Sequence, residues 1–128
     1  MSFTHAIHEK VTVGGTSISK TTTLTGGAKV SLEETIADST TDGAVVFALD
    51  VSACKSFYMV SDQDITIETN DGSSPDDTIN LIAGIPYVWH EDKYESFLLT
   101  SDVETLYVTN SSGAEAKLQI EALTDPTP

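Results

Sequence analysis

Arginine is absent from this chain, and six lysines face twenty carboxylates, for a formal charge of −14 at pH 7. Arginine is the usual instrument for gripping phosphates and base edges, so this balance excludes direct nucleic-acid binding. An anionic membrane surface would repel the chain as well. Cysteine occurs once, at Cys54, which excludes an internal disulfide. With Val51 and Phe57 close by, it reads as a small buried hydrophobe; a catalytic thiol would need a base and a positive field beside it. No apolar run approaches the ~20 residues that span a bilayer. The opening MSFTHAIHEK lacks the charged-then-apolar layout of a secretion signal, so folding in a cytosol is expected.

Catalytic signatures are missing too. There is no Gly-x-Ser-x-Gly elbow, no phosphate-binding glycine loop and no His-Glu-x-x-His. Twenty acids allow so many carboxylate pairs that none points to glycoside hydrolysis. The expected class is therefore not an enzyme.

What is present is β patterning. At 128 residues the chain is long enough for one domain with a core of its own. Ile65, Ile67 and Thr69 alternate with Thr66 and Glu68, the period of a strand with one buried face. Asn70-Asp71-Gly72 breaks that run, and Ile79 and Leu81 resume it, which predicts a hairpin with a tip of about eight residues. Val45, Phe47 and Leu49 share one face of a core strand. Phe57-Tyr58-Met59-Val60 is apolar on both faces, as a central strand covered on two sides would be. Phe97-Leu98-Leu99 reads as a strand or a loop plug. Leu106 and Val108, then Ala116, Leu118, Ile120 and Ala122, form a second hairpin across the turn Asn110-Ser111-Ser112-Gly113.

The first forty residues are Thr-rich, with Gly14-Gly15 and Gly26-Gly27 as breaks. Residues 28–36 carry a Ser31/Glu34 capping pattern, but the space allows only a turn or two of helix, so a strand is preferred. The division read from these signals is N-terminal strands or an extended arm over residues 1–40, a β-sandwich core over 41–124 and a loose tail over 125–128. About eight to ten short strands with regular turn signals predict an all-β fold, an antiparallel sandwich or jelly roll.

Binding candidates are few. His5 and His8 lie three apart, and on a strand they point to opposite faces, so they do not close on one ion. His90 has no identifiable partner and reads as a surface histidine. Asp62, Asp64, Asn70, Asp71, Asp76 and Asp77 crowd the first hairpin, and Asp71, Asp76 and Asp77 are its candidate ligands for a loosely held cation. Their spacing fails the EF-hand template, and a solvated turn is the simpler account. No cofactor is expected.

The runs SDQDITIETN at 61–70, DTINL at 77–81, AGIPYVW at 83–89 and LYVTN at 106–110 resemble a group of small tailed-phage virion proteins. The likeness covers about residues 45–123 and leaves the N-terminal forty unmatched. It implies a capsid decoration (cement) protein on the virion surface, assembled in the host cytoplasm and without catalytic residues. The implied partners are the major capsid protein or other virion proteins, together with further copies of the chain as a dimer or trimer. Neither nucleic acid nor membrane is implied. Tyr87, Trp89, Tyr94 and Phe97 are the aromatic candidates for such a contact, since aromatics dominate interface energetics. An arm that adds a strand to a neighbour's edge would suit this role. The alternatives are a tail, head–tail connector or fibre component, or a carbohydrate- or calcium-binding module.

Overall fold

A computed structural model describes residues 2–125. Ten strands run in order: β1 (Phe3–Val13), β2 (Thr16–Gly26), β3 (Ala28–Ile36), β4 (Thr40–Leu49), β5 (Cys54–Ser61), β6 (Ile65–Thr69), β7 (Thr78–Leu81), β8 (Tyr87–His90), β9 (Val103–Asn110) and β10 (Ala116–Thr124). A single 3-10 turn, Val51–Ala53, precedes β5. The fold is an all-β sandwich of antiparallel sheets.

The sandwich grows outward from the β6–β7 hairpin. β5 pairs with β8, β4 with β9 and β3 with β10, so each earlier strand finds a correspondingly later one. Further pairing of β10 with β5 and β9 with β6 closes two four-stranded sheets, β3-β10-β5-β8 and β4-β9-β6-β7. This nested pairing wrapped into two sheets is a jelly roll. Consecutive strands β3 and β4 lie in different sheets, and the turn between them holds Ser39 at φ 64°. β9 and β10 also lie in different sheets, so the second hairpin expected across Asn110–Gly113 is instead a crossover: the two strands face each other through the core without pairing.

Alternation fills the space between the sheets. Val45, Phe47 and Leu49 on one sheet meet Phe57, Met59, Leu118 and Ile120 on the other in one cluster, closed by Ile65, Ile67, Leu106 and Val108. Burying a side chain of this size contributes roughly 1.5–3 kcal/mol, so this cluster dominates the stability of the sandwich. Phe97 and Leu99 are not in a strand; they plug the open end as a loop. Asn110 is a buried polar anchor. Its Nδ2 donates to the carbonyls of Ile36, Ala37 and Ala114, while its Oδ1 accepts from Ser112, tying the β3–β4 turn to the β9–β10 turn.

The N-terminal region divides differently from the expected boundary at 40. β3 is an edge strand of the sandwich, and its Ile36 belongs to the core. Only β1 and β2 stand apart, as a two-stranded ribbon in unbroken register from Phe3↔Gly26 to Val13↔Thr16. Gly14 and Gly15 turn the ribbon at φ 54° and 86°, both in the left-handed region that a two-residue hairpin of this twist needs. The arm is therefore a paired hairpin. At the other end, Thr124 still belongs to β10, and the Asp125 amide donates to the Ala53 carbonyl at 2.8 Å. The rest of the expected loose tail, residues 126–128, lies outside the described residues.

Candidate interaction surfaces

One face of the ribbon is formed by the odd positions of β1 and, through their register partners, the even positions of β2. At its base this face lies over the outside of the β10-β5-β8 sheet. Leu24 and Leu123 are both buried, yet neither belongs to the cluster between the sheets; they mark a second, smaller apolar layer. Gly26 sits so close to β10 that a Cβ there would be 2.5 Å from the Thr124 carbonyl oxygen. Phe3 lies under the Lys29 ammonium, 5.5 Å from the ring centre.

Polar ties continue along the same face. His5 Nδ1 meets Ser56 Oγ at 2.5 Å, and Ser56 is fully buried beneath it. Burial, reinforced by Lys29 and opposed by Glu121, holds the His5 imidazole below its ordinary pKa. Farther out, Glu9 faces His90 Nε2 at 3.6 Å and Lys93 Nζ at 3.7 Å. His90 is 4 % exposed, so the expected surface histidine is in fact covered. Its Nδ1 accepts from the Asp92 amide at 3.3 Å, while the buried Nε2, 3.6 Å from Glu9, makes no hydrogen bond among the described residues. Between the ribbon and the 90–95 loop runs an open trough of about 740 Å³. His8, on the opposite face of β1, is exposed and bonds Thr21 Oγ1; the two histidines do not converge.

Past Glu9 the same ribbon face is apolar and uncovered. Val11, Val13 and Ile18 are 60 %, 71 % and 73 % exposed, and Val11 is the register partner of Ile18. At ~3.3 Å per residue, the four residues from Glu9 to Val13 carry the tip about 13 Å beyond that last tie. Composition alone hid this surface, but the alternation of Phe3, His5, Ile7, Glu9, Val11 and Val13 around a Gly-Gly turn is its readable signal.

On the far side of the molecule, the outer face of the β4-β9-β6-β7 sheet is open. Ala44, Val46 and Ala48 alternate outward along β4, with Val46 82 % exposed. Across the sheet, Glu68 lies near Asp42 and Asp71; partial desolvation and then those carboxylates raise its pKa above the ordinary range.

The acidic tip of the β6–β7 hairpin is held by its own bonds. Asn70, at φ 67°, accepts from the Glu104 amide through Oδ1 and donates to Asp76 Oδ2 and to the Asp102 carbonyl. Asp71 accepts from the Ser73 amide, and Asp77 accepts from both the amide and the hydroxyl of Thr100. Asp62 and Asp64 accept from the Lys117 and Ala83 amides. Asp71, Asp76 and Asp77 thus face three different partners, the Ser73 amide, the Asn70 side chain and Thr100. Among the described residues no three His, Cys, Asp or Glu side chains gather as a metal-binding group.

The four aromatic candidates are not one patch. Trp89 stacks on Phe97 at 4.4 Å, and Phe97 packs 5.2 Å from Phe57. The Trp89 indole donates to the Glu95 carbonyl, and the Tyr87 hydroxyl accepts from the Leu98 amide. These three close the end of the sandwich, and only Tyr94 is free in solvent. β5 is central in its sheet as expected, but Tyr58 on its outer face stays partly exposed because the ribbon covers only the Ser56 end. Cys54 is buried, which pushes its thiol up to about 12, far from a reactive thiolate.

No family model and no curated protein matches the chain. Among solved structures it is similar to a chain described in the words "Bacillus endospore appendages form a novel family of disulfide-linked pili". That match has 13 % identity and a TM-score of 0.34, covering 78 % of this chain and 93 % of that one. Similarity at this level carries neither fold nor function from one to the other.

Proposed function

We propose that the protein is a non-catalytic structural component of a tailed-phage virion, a decoration protein that binds the assembled head and stabilises it. The observation that supports this most is the ribbon, a stiff hairpin whose base is fastened to the sandwich and whose apolar tip face reaches past it into solvent. An exposed apolar surface on a rigid extension is a contact surface for another protein, not a site for chemistry. The sandwich supplies a firm platform without disulfides. The excess of carboxylates keeps closely spaced copies from aggregating.

The test is to add the purified protein to heads that lack it. Saturable binding with raised resistance to heat is expected; absence of binding to any head surface overturns the reading. Counting bound copies separates decoration, which repeats over the whole shell, from a connector or fibre role, which is confined to one vertex.

A further inference from the structure

Among the described residues nothing of its own subunit covers the tip of the ribbon. The base of the ribbon lies on the β10-β5-β8 sheet, so the open face of the β4-β9-β6-β7 sheet is on the opposite side of the sandwich. We infer that the tip docks on that open face of a second copy of this chain, in a head-to-tail contact.

Three observations select this occupant. The ribbon face is continuous: its inner half already packs on a β-sheet of this protein, and its outer half presents Val11, Val13 and Ile18 in the same register. The open face offers a matching apolar row in Ala44, Val46 and Ala48. Charge agrees as well. Residues 3–26 carry two lysines and one carboxylate, whereas the rest of the chain carries four lysines and nineteen carboxylates. Lys20 stands opposite Glu9 and lines the trough beside its own 90–95 loop, so the complement to the neighbour's Asp42, Glu68 and Asp71 is the net positive charge of the ribbon as a whole. A contact between two different surfaces propagates into a ring or an open chain of copies.

The contact is read on the purified protein alone and stands apart from head binding. Sedimentation velocity over a concentration series tests it with Ile18→Asp, which spoils the tip, and Val46→Asp, which spoils the face. Both positions are exposed, so thermal melts close to wild type confirm that each variant is folded. The wild type is expected to assemble with rising concentration, and each variant to lose assembly at least tenfold. Mixing the two variants restores one good tip against one good face, and the mixture stops at a dimer. A wild type that stays monomeric throughout, either variant assembling like wild type, or a mixture that fails to dimerise overturns the inference.

Discussion

Glu9 reaches from the ribbon to the buried edge of the sandwich, where its carboxylate lies 3.6 Å from Nε2 of His90 and 3.7 Å from the Lys93 ammonium. It is the outermost polar tie of the ribbon among the described residues. Glu9 is itself half exposed, so the pair is worth about 0–1 kcal/mol to global stability. Its effect is expected to be local. Glu9→Gln should leave the melting temperature nearly unchanged while amide exchange accelerates in β1 and β2 alone, measured by hydrogen–deuterium exchange. Equal acceleration in β5 or β10 would show that ribbon and sandwich open as one unit.

Gly26 marks the base of the same device. A Cβ there would meet the Thr124 carbonyl oxygen, a backbone atom that cannot swing aside, and Leu123 beyond it. Gly26→Ala is therefore expected to lift the ribbon base from β10 and to expose Leu24 and Leu123. Increased binding of an apolar dye without loss of the far-ultraviolet β signal would report this. Unchanged exchange and dye binding would mean that the two layers are not in register as described.

Asn110 makes a different kind of contribution. It answers three carbonyls and two donors from a position with no solvent access. Asn110→Ala leaves those groups unpaired in the interior and should cost about 1–3 kcal/mol by denaturant unfolding. Ser111, next to it and exposed, serves as the control, since Ser111→Ala should be close to neutral.

Glu68 supplies the pH dependence. Its folded-state pKa is raised by partial desolvation and by Asp42 and Asp71. A carboxylate raised on folding gives stability that is present below its unfolded pKa and lost as pH rises through the folded value. Glu68→Gln removes that loss. The variant should melt above wild type at pH 7, with the gap closing toward pH 4 as the wild-type carboxyl protonates. A gap that widens on acidification would reverse the assignment.

The sandwich was legible because strand alternation writes itself into neighbouring residues. Ile65/Ile67 against Ile79/Leu81 declare both their faces and their partner across a short turn. Leu106/Val108 and Leu118/Ile120 declare only their faces, since the turn between them crosses from one sheet to the other and each strand finds its partners far away in the sequence. The second apolar layer was not legible. Leu24 and Leu123 are almost a hundred positions apart, and Leu123 breaks the alternation of β10, so only the folded ribbon explains why it is apolar. His90 misled for the same reason, since a polar residue on the outer face of a sheet reads as solvent-facing until something lies over it. The acidic loop and the aromatic group suggested binding surfaces by composition. In the structure the Asp71, Asp76 and Asp77 carboxylates accept from the hairpin's own neighbours, and Tyr87, Trp89 and Phe97 pack on one another at the end of the core, leaving Tyr94 alone in solvent.

Imaging of heads incubated with the protein is the most direct test of the structural role. The account predicts a jelly-roll-sized density repeated at equivalent positions over the whole shell, with a ribbon from each copy reaching the next. Density confined to the tail or the portal vertex, or a bare shell, would contradict it.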